Sequence, residues 1–213
     1  MSDMKFVFLI STGGSVFKSL FAEKKMLDHV ESVVSDRQCE AIDYAKENGV
    51  DTEILNSRGG RDFSNQLKTK FEGRNNVIFV SFYTRLFSGE FLKYFKGKVI
   101  NFHPSILPAC PGRDGFGDTL KSGSQFIGAT VHFVDEGMDT GAPIIQSAVP
   151  FNPNLSLAEN RHAVYFQQCK MLKQVIVWFL EDRVVVKGGR VFVSGASYDK
   201  CEFSPNLDII FES

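Results

Sequence analysis

Short, nearly continuous apolar runs alternate with stretches of helical periodicity through the first half of the chain. Lys5 to Ile10 is apolar at every position after the lysine, as in a strand covered on both faces of a sheet. Val16, Phe17, Leu20, Phe21 and Leu27 then recur at helical spacing and predict a helix after a glycine-rich turn. Val30 to Val34 reads as a second strand, and Asp36 as the N-cap of a helix that runs to Lys46 and is closed by Gly49. Thr52 to Leu55 predicts a third strand, Arg61 to Phe71 a helix and Val77 to Ser81 a fourth strand. Phe91, Leu92, Tyr94 and Phe95 give the next helix its apolar face, and Lys98 to Phe102 is the fifth strand. Strand and helix in alternation mark a parallel sheet wrapped by helices.

The pattern changes after this point. Ala129 to Val134 and Ile144 to Val149 are joined by a loop too short to hold a crossover helix, so they are expected to pair antiparallel. Leu157 to Leu180 carries a long helical stripe containing the only tryptophan, Trp178, and Lys187 to Arg190 marks a small hairpin. The last fifteen residues carry no clear pattern. The expected fold is α/β and Rossmann-like: a mostly parallel, twisted sheet with flanking helices and an antiparallel strand pair in the second half. With no linker, repeat or low-complexity segment, residues 1–213 are expected to form a single domain.

Composition narrows the partners. The net charge is −1 and the 24 basic residues are scattered, so no basic stripe points to nucleic acid. The four cysteines share no short spacing, which suggests neither a zinc site nor a disulfide framework and makes a reducing compartment the default. No apolar stretch approaches the ~20 residues that span a bilayer, and no secretory leader is evident, so a cytoplasmic location is expected.

Candidate chemistry lies at the end of the fifth strand. Asn101 and His103 are two residues apart, and side chains at that spacing leave the same face of a strand. Pro104, Pro108 and Pro111 stiffen the exit, and Asp139 follows 36 residues after His103 in the sequence Asp-Glu-Gly-Met-Asp-Thr-Gly. A neutral donor, a titratable ring and a carboxylate suit acyl transfer, in which an oxyanion forms and a proton leaves the attacking group. The alternative is a strand-capping asparagine and a buried structural histidine. The turn Ser11, Thr12, Gly13, Gly14, Ser15 offers backbone N–H groups to a phosphate, or is simply a tight strand-to-helix turn. His132 alternates with Val131 and Phe133 and belongs behind the site at most, while His29 and His162 read as surface or structural residues. No His, Cys or carboxylate spacing suggests a metal.

The motif Asn-x-His-Pro-Ser-x-Leu-Pro, the strand Gly-Ala-Thr-Val-His and the segment Asp-Glu-Gly-Met-Asp-Thr-Gly-x-Pro-Ile-Ile together resemble the folate-dependent formyltransferase family. Within it, the nearest pattern is that of the branch acting on glycinamide ribonucleotide. The resemblance covers nearly the whole chain and implies a formyltransferase fold, with 10-formyltetrahydrofolate as cosubstrate and a small-molecule amine, phosphorylated in that branch by its nature as a ribonucleotide, as acceptor. It implies catalytic roles for Asn101, His103 and Asp139. It also implies cosubstrate contacts, mostly through backbone, from Arg85, Leu86 and Phe87 and from Val134, Asp135, Glu136, Gly137 and Met138. Arg61 stands where the family has an arginine near the folate's glutamate carboxylate.

The departures fall on the acceptor side. Val16 replaces a phosphate-binding asparagine of the family, and Tyr165 and Gln168 replace a glutamine and a glutamate that meet ribose, which leaves Gln168 as the candidate sugar contact. Gly112 to Gly117 differs from the family's histidine-containing loop, and its glycines suggest a mobile lid. An amino sugar carried on a nucleotide or phosphate is therefore the second acceptor expected. Hydrolysis of the formylfolate is a further alternative, disfavoured because the related deformylases carry an additional N-terminal domain whereas Met1 here stands just before the first strand. A homodimer is one option for the oligomeric state.

Overall fold

The structure, a computed structural model, describes residues 3–208; the ends of the expected 1–213 domain, including the last five of the fifteen unpatterned residues, lie outside the described residues. It is a mostly parallel, mixed sheet flanked by helices, with an antiparallel strand pair. The elements in chain order are β1 (Lys5–Ile10), α1 (Ser15–Lys18), α2 (Lys24–Leu27), β2 (Val30–Ser35), α3 (Glu40–Glu47), β3 (Thr52–Ile54), α4 (Gly60–Phe71), β4 (Val77–Phe82), α5 (Gly89–Tyr94), β5 (Val99–His103), α6 (Gly115–Lys121), β6 (Phe126–Phe133), β7 (Pro143–Pro150), α7 (Leu157–Leu180), β8 (Val184–Lys187), β9 (Arg190–Val193) and β10 (Phe203–Ser204). Two compact units divide them, residues 3–101 with 133–138, and residues 102–132 with 139–208.

The first unit is the parallel part. β1 pairs in parallel with both β2 and β4, β3 extends the set from β2, and β4 pairs with β5 from Phe79↔Val99 to Ser81↔Asn101. Central β1 is buried from Phe6 to Ile10, which is why its sequence runs apolar instead of alternating. Phe63, Leu67 and Phe71 of α4 and Phe91, Leu92 and Phe95 on and after α5 pack with Val7, Leu9, Phe79 and Val99 into one cluster. Tyr94, expected on that apolar face, is half out in solvent instead, where its hydroxyl accepts the Gly73 N–H at 2.9 Å.

Two expectations for this unit change. The helix read across Val16 to Leu27 breaks into α1, a 3-10 turn at Ser19–Ala22 and α2, with Glu23 between the last two at the non-helical φ −121°, ψ 76°, while Phe17 and Leu20 are buried. Asp36 caps no helix: α3 starts at Glu40 after Cys39, and Asp36 is buried among arginines.

The second unit holds the antiparallel part. β6 and β7 pair from Phe126↔Pro150 to His132↔Pro143, and β10 adds antiparallel to β7. α7 begins with a capping box, in which Ser156 Oγ accepts the Glu159 N–H at 3.2 Å and the Glu159 carboxylate accepts the Ser156 N–H at 2.8 Å. Trp178 on α7 is fully buried and its indole N–H donates to Asp208 at 2.7 Å. Burying a ring of that size contributes roughly 4 kcal/mol. β8 and β9 form the expected hairpin around Gly188 and Gly189, both at positive φ.

Candidate active site

The second unit gathers two imidazoles around one carboxylate. His103, at the end of β5, is buried, and its Nδ1 lies 3.4 Å from Asp139 Oδ2. Asp139 Oδ2 also accepts the Gly112 N–H at 2.8 Å, while Oδ1 lies 3.6 Å from Nε2 of buried His132 on β6. The carboxylate thus bridges two imidazoles and a backbone amide. Asp139 takes a left-handed φ of 56°, a conformation that aspartate tolerates better than most residues and that aims its side chain back over the loop.

The other face of His103 is set by the proline-rich exit. Its Nε2 lies 2.8 Å from the Cys110 carbonyl, so both ring nitrogens face an acceptor. A ring carrying two protons can donate to both, whereas a neutral ring turns a lone pair toward one of them. The exit itself is pinned at several points. Ser105 Oγ donates to the Ala109 carbonyl at 2.7 Å, Thr130 Oγ1 donates to Ser105 O at 2.8 Å and accepts Leu107 N–H at 3.0 Å, and Gln146 Nε2 donates to Leu107 O at 2.6 Å. The ring orientation is fixed by these contacts before any ligand is considered.

The glycines of Gly112 to Gly117 belong to this support. The segment runs into α6, whose N-cap Asp114 accepts the Gly117 N–H at 3.1 Å. Gly115 is buried, and a Cβ there would run into His103 Nε2. The glycine permits close packing against the histidine, which sequence alone could not separate from flexibility.

The remaining expected site residues lie in the first unit, apart from Gln168. Asn101 is half-buried at the end of the parallel pairing, opposite Ser81. Leu86 and Met138 are exposed, at 66% and 51%. Phe87 and Val134 turn onto the core instead, with the Phe87 ring centroid 5.3 Å from both Tyr83 and Phe91. The turn at Asp135 to Met138 is closed by Gly137 N–H donating to Asp135 at 3.1 Å, and Glu136 reaches Lys93 of α5 at 3.6 Å and the backbone of Gly89. The two expected cosubstrate segments are thereby neighbours. Arg85 points its guanidinium at Asp36.

In the Ser11 to Ser15 turn, Ser11 is buried and its hydroxyl pairs with that of Thr84 at 3.2 Å, Gly14 has φ 64° against Ala41, and Thr12 and Ser15 are exposed. The Glu40 carboxylate stands over Gly13, held by Lys18. Val16 is buried, so this position packs in the core. Gln168 is half-buried on α7, one turn after Tyr165, whose hydroxyl is pushed up to about 12 by burial and by its contact with Cys169.

Sequence reasoning underrated His132. Its alternation with Val131 and Phe133 correctly marked it as buried, but only a tight turn between β6 and Asp139 brings the carboxylate back to it. Asp36 and its arginines were missed because an aspartate just before a helix reads first as a cap. Among the described residues no group of three or more His, Cys, Asp or Glu side chains is placed to hold a metal ion. No helix among them is long and apolar enough to cross a membrane.

Comparison with known proteins places the chain in context. A family profile described as "Formyl transferase" matches residues 4–176. The phosphoribosylglycinamide formyltransferase of Mycobacterium tuberculosis is 35% identical over 154 residues, covering 68% of this chain and 71% of that protein. That of Haemophilus influenzae is 31% identical over 129 residues, 61% of each chain, so the match spans under two thirds of that relative's length. The crystal structure of glycinamide ribonucleotide transformylase 1 from Symbiobacterium toebii superposes with a TM-score of 0.80 at 28% identity, covering 89% of this chain and 93% of that one.

Proposed function

Because the chain belongs to the formyl transferase family, we propose that it is an enzyme that moves the formyl group of 10-formyltetrahydrofolate to the primary amine of glycinamide ribonucleotide, a step of purine biosynthesis carried out in the cytoplasm by the whole chain acting as one domain. The observation that carries this reading is the carboxylate of Asp139 set between His103 and His132. The names of the relatives favour this acceptor over an amino sugar or water.

The described residues suit the cosubstrate. Exposed Leu86 and Met138, beside Phe87 and Val134 anchored on the core, offer an apolar ledge with backbone groups along it, which fits a planar heterocycle with polar edges. The cosubstrate carries its formyl carbon on a nitrogen, and the acceptor's amine would attack that carbon. On collapse of the tetrahedral adduct the bond from the carbon to the folate nitrogen breaks, and the proton lost by the amine passes to that departing nitrogen to leave tetrahydrofolate. Asn101 donates its amide N–H to the charge developing on the formyl oxygen, and His103 stabilises the same oxygen, its Nε2–H exchanging the Cys110 carbonyl for it. Asp139 holds that ring and accepts the amine proton, directly or through one water, while His132 fixes the other carboxylate oxygen. One such donor contributes ~10² to 10³ in rate. The turn Ser11 to Ser15 receives the acceptor's phosphate, and Gln168 meets its sugar.

The test is turnover of 10-formyltetrahydrofolate with glycinamide ribonucleotide, with an amino-sugar nucleotide and with no acceptor. The reading requires product formation that depends on glycinamide ribonucleotide. Equal turnover without an acceptor would replace it with hydrolysis.

A further inference from the structure

The turn after β1, proposed to receive the acceptor's phosphate, carries an ion pair of its own. α3 is seated on this turn. The Ala41 N–H donates to the Thr12 carbonyl at 3.3 Å, and a Cβ on Gly14 would come within 2.9 Å of the Ala41 Cβ. That seating places Glu40, the first residue of α3, over Gly13, with Oε2 3.1 Å from the point a Cβ on Gly13 would occupy. Lys18, the last residue of α1, donates from Nζ to the other carboxylate oxygen, Oε1. The same ammonium lies 4.9 Å from the centroid of the Tyr44 ring, one turn along α3 from Glu40.

The two partners are unequally anchored. The Lys18 side chain is 23% exposed and rests on the Tyr44 ring, which Phe21 in turn meets edge-on at 4.9 Å. The Glu40 side chain is 72% exposed and can turn into water with little loss of burial. Like charges repel, so a carboxylate and a phosphate do not share the space over Gly13. What decides between them is the strength of each pair. An exposed ion pair contributes little net stability, whereas an ammonium facing a phosphate dianion makes a stronger, charge-assisted bond. Exchanging Glu40 for a phosphate is therefore favourable at Lys18 and costs the fold little. Val16, buried in the core, offers that phosphate no polar group, so the charged contact from α1 falls to Lys18.

We propose that Lys18 binds the acceptor's phosphate, and that Glu40 holds the ammonium over the turn until the phosphate displaces it. The proposal rests on the functional reading above and adds to it a charged contact and an internal competitor. Glu40 raises the concentration of acceptor needed. It also favours a doubly charged phosphomonoester over a singly charged phosphodiester, because only the former brings more charge than the carboxylate it replaces. A carboxylate of the cosubstrate offers Lys18 similar chemistry, and the experiment separates the two.

Steady-state KM values for glycinamide ribonucleotide and for 10-formyltetrahydrofolate are to be measured with the unmodified protein, Lys18→Gln, Lys18→Arg and Glu40→Gln. The acceptor's KM should rise about tenfold in Lys18→Gln, stay within about twofold in Lys18→Arg and fall about threefold in Glu40→Gln, with the cosubstrate's KM unmoved. The opposite signs are decisive. If the pair only braces α1 against α3, breaking it from either side acts in the same direction. Changes of one sign in the acceptor's KM, no change in either variant, or effects confined to the cosubstrate overturn the proposal. Should Lys18→Gln not fold, Glu40→Gln decides alone, and an acceptor KM that is unchanged or higher overturns it. If the unmodified protein transfers no formyl group, the functional reading fails separately. The proposal is then read from inorganic phosphate, which must raise the melting temperature of Glu40→Gln more, and that of Lys18→Gln less, than that of the unmodified protein. Any other order overturns it.

Discussion

Asp139 and Asp36 are held in opposite ways. Asp139 sits between two buried histidines and a backbone amide, partners that can gain or lose a proton or are neutral. Asp36 sits among two arginines, whose charge is fixed, and a tyrosine hydroxyl. Burial alone would raise the carboxyl of Asp36, but Arg37 first, then Arg85 and Tyr83, more than offset it and hold it below its ordinary 3.8. The same neighbourhood pushes Tyr83 up to about 12, through burial and the adjacent carboxylate. The contrast separates a carboxylate whose neighbours are imidazoles and an amide from one whose neighbours are fixed cations.

The largest effect that tests this contrast is expected from Asp139→Asn. The amide oxygen can still accept the Gly112 N–H, so the loop persists while the charge between the histidines is lost. Formyl transfer should fall about 10² to 10⁴-fold in kcat with little change in cosubstrate affinity. Gly115→Ala comes next. Its methyl group would displace the His103 ring, and a misplacement near 1 Å costs on the order of 10²-fold in rate, visible as a kcat loss without any change of titratable group.

Asp36→Asn should act on stability instead. A pair between a buried acid and half-exposed arginines lies between the surface and buried limits, so about 1 to 3 kcal/mol is expected from denaturant titration near neutral pH. A depressed folded-state pKa contributes stability that is present above the unfolded value and is lost as pH falls through the folded one. The gap between the unmodified protein and Asp36→Asn should therefore be constant above about pH 5 and close at more acid pH. A gap that instead widened toward acid would show that the arginines are not what Asp36 holds. Tyr83→Phe, which removes one 3.3 Å bond to Asp36, should cost least, about 0.5 to 1 kcal/mol, and should leave kcat unchanged.

The two regions were unequally legible in the sequence. Strands such as Lys5–Ile10 and the long helix Leu157–Leu180 were readable because burial on both faces and helical periodicity are local properties. His103 and Asp139 stood out as candidates because proline-rich and glycine-rich turns frame them, and the structure brings the two side chains to 3.4 Å. What pairs them with His132 is the register of β6 against β7, which no local pattern contains. The glycine at 115 was legible as a glycine but not as a contact, since close approach to His103 and backbone freedom select the same residue. Asp36 was misread for a similar reason: its arginines come from the next residue and from a loop 49 positions on, and only the parallel pairing of β2, β1 and β4 brings that loop within reach.

Whether His103 and Asp139 act as one catalytic unit is tested most directly by kcat for formyl transfer in His103→Ala, in Asp139→Asn and in the double variant. A unit loses its function with either member, so the double variant should be no more than a fewfold slower than the slower single one. Losses that multiply, with the double variant slower by the product of the two single effects, would mean that the 3.4 Å approach of the carboxylate to the ring is structural and that Asp139 does not act through His103.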